Sequence, residues 1–379
     1  MCLSGRCAAT RPWRRLSRPS CREDVTFRPI VSPSPSYREA KPASGLFGII
    51  SVAKTCAASC LSLWPTDDQN STAKELAAKG VATVKVGFIG TGRMGVPMSG
   101  HLLKAGFELV VHDLNKEAAD SLLQSGAHWA DSPRRVAEDC EVVLSSLPSP
   151  LAVKDVIYGD RGLMAGWKQG DIYVDMSTNS PGMIRQIASD ASIRGVTVLD
   201  APVTGGTEGA EDGTLVIIVG GDRACVDKMQ GIFQAIGRKT IHAGDVGAGN
   251  VAKLINNVIS LTTNAIMAEA FVLGVKAGVD PQTLWEVGMG GTANNWDLAR
   301  LPRFTFKGNF EPGFRLSLAG KDMGLAVQLG REYGVPMPVA AAAEQSFLTA
   351  QAAGLGDKSV YSIIQRLEHL VGLEVRSPD

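Results

Sequence analysis

From Val84 onward, short apolar runs rich in β-branched residues alternate with stretches in which apolar positions return every three or four residues. The short runs, bounded by turn residues, predict strands, and the longer period predicts amphipathic helices. The predicted strands are Val84 to Ile89, Glu108 to His112, Glu141 to Ser145, Asp171 to Asp175, Val196 to Asp200, Leu215 to Val219 and Lys239 to His242. Helical patterns between them include Met94 to Ala105 and Lys116 to Ser125, stopped by Gly106 and Gly126, the residue type favoured just past a helix end. Strand and helix in alternation predicts βαβ units and a mostly parallel sheet.

After the Gly-rich link Ala243 to Gly249 the texture changes. Asn250 to Ala277 reads as one long helix with apolar residues on every side, Val251, Leu254, Ile259, Ile266 and Leu273 among them. Such a helix is expected to be buried along much of its length. Pro281 suits the first turn of another helix. Lys321 to Glu332, opening on Lys321-Asp322, Pro338 to Ala353 and Ser359 to Val371 continue the helical pattern with no strand between them. Residues 83–244 are therefore read as an α/β domain and residues 245–379 as an all-α domain.

Before about Val81 no such period appears, and composition carries the information instead. The chain of 379 residues has 38 Lys plus Arg against 38 Asp plus Glu, a net charge of zero. That zero is a sum of unlike parts: residues 1–80 hold 12 basic and 6 acidic side chains, so this piece is +6 and the remainder −6. Arg6, Arg11, Arg14, Arg15, Arg18 and Arg22 precede the first acid. An Arg-rich, Ser-rich, acid-poor start has the composition of an organelle transit peptide, with an ordinary disordered basic tail as the plainer alternative. Residues 1–82 are thus read as a disordered, transit-like extension. The excess of arginine over serine favours a mitochondrial address over a plastid one. Leu46 to Trp64 is largely apolar but diluted by three serines and a threonine, so no membrane span is predicted there.

Composition also excludes classes. Apolar residues make up 45% of the chain, too many for disorder throughout, and glycine lacks the every-third-residue spacing of collagen. Five of the seven cysteines, Cys2, Cys7, Cys21, Cys56 and Cys60, fall in the extension. Cys140 and Cys225 remain, without His or Cys at metal-ligand spacing, so neither a disulfide scaffold nor a metal site is expected. Charge balance offers nothing that would hold nucleic acid.

Glycine is in excess at 42 residues, and its clusters carry the candidate chemistry. Val84 to Ile89 runs directly into Gly90-Thr91-Gly92-Arg93-Met94-Gly95 and then into a helix. The first glycine permits the tight turn, the second lets backbone approach a pyrophosphate, and the third allows close helix-to-strand packing. The helix N-terminus then faces the phosphates. Asp113, at the end of the next strand, would accept hydrogen bonds from ribose hydroxyls and repel a 2′-phosphate, which selects NAD over NADP. With this fingerprint the fold class becomes an α/β Rossmann-type N-terminal domain with an all-α C-terminal domain.

Asp200-Ala201-Pro202-Val203-Thr204-Gly205-Gly206 follows a strand at the edge where such sheets bind ligands. Thr204, Gly205 and Gly206 offer a hydroxyl and uncrowded backbone N–H groups to a carboxylate, or else form a plain turn. Gly247 to Asn257 opens the long helix. Lys253 and Asn257 are four apart and share one helical face. A lysine buried without a partner has a lowered pKa and can exchange protons near neutrality; a solvated surface lysine is the alternative.

Together these motifs resemble the β-hydroxyacid dehydrogenase family, which includes 3-hydroxyisobutyrate dehydrogenase, tartronate semialdehyde and glyoxylate reductases and, more distantly, 6-phosphogluconate dehydrogenase. Gly87 to Gly95, Asp200 to Gly206, Gly247 to Asn257 and Lys321-Asp322 stand in the family's order. The resemblance implies Lys253 as general acid/base, Thr204, Gly205, Gly206 and Asn257 as substrate contacts, and Leu147, Pro148, Thr178 and Lys321 as nicotinamide contacts beside Gly90, Gly92, Arg93, Met94, Gly95 and Asp113. It implies NAD as cofactor, a small β-hydroxy acid as substrate, no metal, no membrane and a homo-oligomer, dimer or tetramer. The first substrate implied is 3-hydroxyisobutyrate, oxidised to methylmalonate semialdehyde in valine catabolism. An NADPH-dependent reductase of glyoxylate, succinic semialdehyde or tartronate semialdehyde is an alternative, and a non-catalytic dinucleotide-binding or oligomerisation module is one of another class. The family usually has Ser where Thr204 stands, so the hydroxyl is kept and a methyl added. Thr292 to Arg315, a segment that in this family helps decide the substrate, is shorter than in typical mitochondrial 3-hydroxyisobutyrate dehydrogenases.

Overall fold

The computed structural model describes residues 84–377. The predicted extension over residues 1–82, Leu46 to Trp64 included, lies outside them. Each of the seven predicted strands forms, most of them trimmed at the start: β1 Val86–Ile89, β2 Leu109–His112, β4 Val142–Ser145, β5 Ile172–Asp175, β6 Thr197–Asp200, β8 Leu215–Gly220 and β9 Gly237–Gly244. Two further strands, β3 His128–Trp129 and β7 Val203–Thr204, have only two residues each, too few to show a period.

The sheet has nine strands in the order β3-β2-β1-β4-β5-β6-β8-β7, with β9 on β8. Strands β1 to β6 run parallel to one another, β8 is antiparallel to β6 and β7, and β9 is parallel to β8. Strand order reverses between β1 and β4, where a doubly wound sheet opens a crevice at the carboxyl ends of its strands. Alternation along each strand divides the core. Leu109, Val111, Leu144, Val174 and Leu199 face one layer, and Val110, Val143, Tyr173 and Val198 face the other.

Beyond Gly244 the described residues form helices joined by turns and loops, with no strand and one isolated bridge, Arg315 with Ser359. The long helix, Ala248–Lys276, packs against helices Leu316–Glu332, Pro338–Ala350 and Ile363–Val371 around Leu261, Phe271, Leu316, Met323 and Phe347. Three expectations need correction. The stretch Lys116 to Ser125 is a 3-10 turn, Lys116–Ala119, capped by the Asn115 side chain, followed by a short helix, Asp120–Gln124. Lys321 and Asp322 lie in the second turn of a helix that begins at Leu316, because Leu316 and Ala319 are themselves buried and extend the apolar face backwards. The long helix is also buried on one side only. Its neighbours cover Leu254, Leu261, Ala265, Ala268 and Phe271, whereas Ile255, Ile259, Ile266 and Leu273 are 47%, 63%, 56% and 70% exposed.

Candidate active site

The carboxyl ends of β1, β2, β4, β5 and β6 carry the predicted site residues of the sheet half, and Lys253, Asn257 and Lys321 come from two helices of the other half. At the end of β1, Gly90 has φ 94°, and a side chain there would strike the Ser146 carbonyl and Leu147. A Cβ on Gly95 would overlap the Gly90 carbonyl oxygen. Both glycines are thus required by the protein's own packing. Gly92 is different: a Cβ there would meet no protein atom within 4 Å. The helix that follows, Gly95–Lys104, has no side-chain cap and no acid in its first turn, which leaves its positive N-terminal end to an anion. Open space over Gly92 and an uncapped helix end together fit a dinucleotide pyrophosphate.

Asp113, at the end of β2, accepts from the Thr91 N–H at 2.7 Å and from the Asn115 N–H at 2.9 Å. It therefore ties the second crossover to the glycine loop, and a carboxylate has lone pairs left for ribose hydroxyls. Met94 is half-buried against the core. Arg93 instead points to the helical half, where it donates to the Pro312 carbonyl. At the end of β4, Leu147 is half-buried and Pro148 exposed, and the Leu147 N–H donates to Ser177 Oγ at 2.9 Å. One residue further, the Thr178 carbonyl accepts from Lys321 Nζ at 2.7 Å. Lys321 in turn stands 2.9 Å from Asp322 Oδ1, as an ion pair outside hydrogen-bond angles.

Asp322 links this side to the long helix. It is 3% exposed, and its Oδ2 accepts from Asn257 Nδ2 at 2.7 Å. Lys253 lies one turn before Asn257, 9% exposed, and donates no hydrogen bond to any described residue. Burial lowers its pKa to about 8, against the opposing pull of the Asp322 carboxylate and with some help from the Lys321 charge. The sequence alternatives for Lys253, buried or solvated, resolve to the buried one.

Thr204, in β7, is half-buried and pairs with Val216 in β8. Gly205 (φ 130°) and Gly206 (φ 69°) follow in conformations that L side chains rarely adopt, and both are exposed. The turn they open, Gly206–Glu211, has no side-chain cap. Its Glu208 pairs with Arg300 at 2.6 Å and Arg303 at 2.5 Å, so the segment Thr292 to Arg315 reaches both this loop and, through Pro312, the glycine loop. Arg300 also lies over the Trp296 and Phe304 rings.

Asp200 and Asp175, fully buried at the ends of β6 and β5, were not predicted as site residues. Asp200 stood inside a quoted motif without a role. The available signal was an acid closing an apolar run in each of two strands. Among the described residues no group of three or more His, Cys, Asp or Glu side chains could hold a metal ion, and Cys140 and Cys225 are free.

Comparison with known proteins covers both halves. Residues 85–244 match the family model described as the NAD binding domain of 6-phosphogluconate dehydrogenase. Residues 247–367 match the one described as NAD-binding of NADP-dependent 3-hydroxyisobutyrate dehydrogenase. The chain is 37% identical over 294 residues to 2-(hydroxymethyl)glutarate dehydrogenase of Eubacterium barkeri, covering 77% of this chain and 98% of that one. It is 39% identical over 290 residues to 3-hydroxyisobutyrate dehydrogenase of Pseudomonas aeruginosa, covering 74% and 97%. Among solved structures, 3-hydroxyisobutyrate dehydrogenase of Mycobacterium tuberculosis with L-serine superposes with a TM-score of 0.69 at 31% identity, over 75% of this chain and 99% of that one.

Proposed function

The chain belongs to the β-hydroxyacid dehydrogenase family and binds NAD(P), and from that premise we propose that it oxidises the primary alcohol of a small β-hydroxy acid to a semialdehyde, with NAD as cofactor and 3-hydroxyisobutyrate as the first substrate to test. The observation that carries this reading is Lys253: a buried lysine without a hydrogen-bond partner among the described residues, with a pKa of about 8, one turn from an Asn held by an acid. A proton acceptor is most effective when its pKa lies near the working pH. In oxidation the neutral Lys253 amine takes the hydroxyl proton, and in reduction its ammonium returns one.

Thr204, Gly205 and Gly206 hold the substrate carboxylate through the hydroxyl and the uncapped backbone N–H groups. Asn257, oriented by Asp322, keeps a second amide N–H for the substrate. Fixing the carboxylate and the hydroxyl at two points places the reacting carbon, the arrangement that converts binding into rate. When bound, the nicotinamide supplies the acceptor for the hydride that leaves that carbon. Gly90, Gly92, Arg93, Met94 and Gly95 would hold the pyrophosphate, Asp113 the adenosine ribose, and Leu147, Pro148, Thr178 and Lys321 the nicotinamide side. Preference for NAD rests on Asp113, whose charge opposes a 2′-phosphate.

On this reading residues 83–244 carry the dinucleotide and residues 245–379 carry the lysine and the contacts between subunits. The exposed stripe Ile255, Ile259, Ile266 and Leu273 supports a homo-oligomer, which light scattering tests directly. The Arg-rich start supports a mitochondrial address. The test of function is a panel of 3-hydroxyisobutyrate, D-glycerate, 4-hydroxybutyrate, 3-hydroxypropionate and L-serine with NAD. At least one is expected to be oxidised in a Lys253-dependent manner; turnover of none, or turnover undiminished in Lys253→Ala, rejects the proposal.

A further inference from the structure

Resting on that reading of Lys253, we propose that Asp200 is a positioning residue that fixes the proton-transferring lysine against the substrate loop. Asp200 ends β6, four residues before Thr204. Its Oδ1 accepts from the Gly247 N–H at 2.6 Å, and its Oδ2 accepts from the Asn250 N–H at 2.7 Å and from Asn250 Nδ2 at 3.3 Å. One carboxylate therefore joins the strand that feeds the substrate loop to the first turn of the helix that carries Lys253. That lysine follows Asn250 by three residues, a rise of about 4.5 Å along the helix.

The same turn is tied to the cofactor side. Asn250 Oδ1 accepts from the Asn179 N–H at 2.7 Å, and Asn179 Nδ2 donates to Asp175 Oδ2 at 3.0 Å. Asn179 adjoins Thr178, whose carbonyl holds Lys321. Substrate loop, lysine and nicotinamide side thus meet at one fully buried acid.

Packing leaves this acid no freedom. A Cβ on Gly249 would lie 2.8 Å from the Asp200 carbonyl oxygen and 2.9 Å from Oδ2, and a Cβ on Gly220 would overlap Oδ1. Three donors converge on two oxygens, which only a carboxylate can satisfy. An amide would turn its own N–H₂ toward a backbone N–H. Keeping Asp175 and Asp200 buried on neighbouring strands is unfavourable for folding, and burial together with Asp175's charge raises the Asp200 pKa to about 6. Apolar packing would serve stability alone better, so the network's return is geometry.

The test compares Asp200→Asn with wild type on whichever acid of the panel is turned over, together with melting temperature and NADH binding. The proposal expects a folded variant that binds NADH as wild type does. Its kcat should fall about a hundredfold, the scale of a misplacement near 1 Å, with KM for the acid much less affected. The midpoint of the kcat/KM pH profile should rise as Lys253 loses its enclosure. A folded Asp200→Asn with wild-type kcat and an unmoved midpoint overturns it. If Asp200→Asn does not fold, Asn250→Ala decides, since it keeps the Gly247 and Asn250 backbone donors to Asp200 and removes only the Asn250 side chain that links Asp200 to Asn179: the same kcat loss and midpoint shift support the proposal, and wild-type kinetics overturn it. Lys253→Ala runs alongside. Full turnover there rejects the reading of the reaction itself, whereas lost turnover there with wild-type Asp200→Asn rejects only the role of Asp200.

Discussion

The sharpest consequence of a lysine with a pKa of about 8 is a pair of pH profiles that bend at one point in opposite senses. Oxidation needs the neutral amine, so kcat/KM for the hydroxy acid should rise tenfold per pH unit below about 8 and level off above it. Reduction of the semialdehyde needs the ammonium, so its kcat/KM should be level below that midpoint and fall tenfold per unit above it. The two curves obey thermodynamics automatically. Their ratio changes tenfold per unit at every pH, as a reaction releasing one proton requires. The profiles should be taken as initial rates of NADH formation and consumption between pH 6.5 and 10 at constant ionic strength, because kcat/KM reports the free enzyme. The window lies above the Asp200 pKa of about 6, so that acid is mostly ionised at the lower end and fully so across the midpoint near 8. Asp322→Asn adds a control with a definite sign. The Asp322 charge raises the lysine pKa, so removing it leaves burial and the Lys321 charge to act alone, and both midpoints should move down together. Profiles bending in the same sense in both directions, or an oxidation profile flat from pH 7 to 9, would refute Lys253 as the proton carrier.

Three further outcomes are expected. Lys253→Met should lose turnover, yet melt higher at pH 7: a pKa lowered from 10.5 to about 8 means a charged form disfavoured by about 3 kcal/mol, part of which returns as stability, a gain of about 1 to 2 kcal/mol. The unfolded chain binds the extra proton between those two values, so this cost is whole below pH 8 and fades as pH rises toward 10.5; a melting-temperature gain that persists at pH 10 would contradict it. Gly92→Ala and Gly95→Ala should separate by readout, the first keeping stability within about 0.5 kcal/mol while weakening NAD binding, the second costing about 2 kcal/mol or more because its methyl meets the Gly90 carbonyl; calorimetric melting beside NADH titration distinguishes them, and equal loss of stability in both would count against the pyrophosphate placement. Wild type should prefer NAD to NADP, and Asp113→Ser should narrow that ratio of kcat/KM by about tenfold, or about 1.4 kcal/mol; an unchanged ratio would remove Asp113 as the selector.

Much of this architecture was legible in the sequence because central parallel strands are buried on both faces and read as unbroken apolar runs. Val142 to Ser145 and Ile172 to Asp175 are such runs, and each appeared within a residue of its place. β3 and β7 were not legible, since two residues paired to a neighbouring edge leave no period. The long helix shows a deeper reason. Its apolar residues encircle it, but which of them are covered depends on helices up to a hundred residues away, and these cover one side. Ile259 and Leu261 are two residues apart and equally apolar, yet 63% and 3% exposed.

The site divides along the same line. Gly90, Gly95, Lys253 and Asn257 could be picked out because each residue type is a poor choice for its local pattern: glycine where a strand meets a helix, a lysine and an asparagine in an apolar face. What could not be read was which group answers which. Asn257 meets Asp322 across 65 residues, Gly247 and Asn250 meet Asp200 across 47 and 50, and Arg93 reaches Pro312 across 219. No period encodes those pairings: the first joins two helices, the Asp200 pair joins a strand end to a helix start, and the last joins the glycine loop to a segment of the helical half. An acid ending an apolar run is costly to bury, and Asp175 and Asp200 do so on strands that a parallel sheet makes neighbours, in register with one another. Two such acids side by side need donors: Asp175 takes them from Ser145, Ser177 and Asn179, and Asp200 from the backbone where the Gly-rich link enters the long helix. The requirement for glycine at 249 is therefore set by the buried acid and the Ile218 carbonyl it approaches, whereas Gly247 is required by its φ of 91° and by the Arg185 side chain beside it.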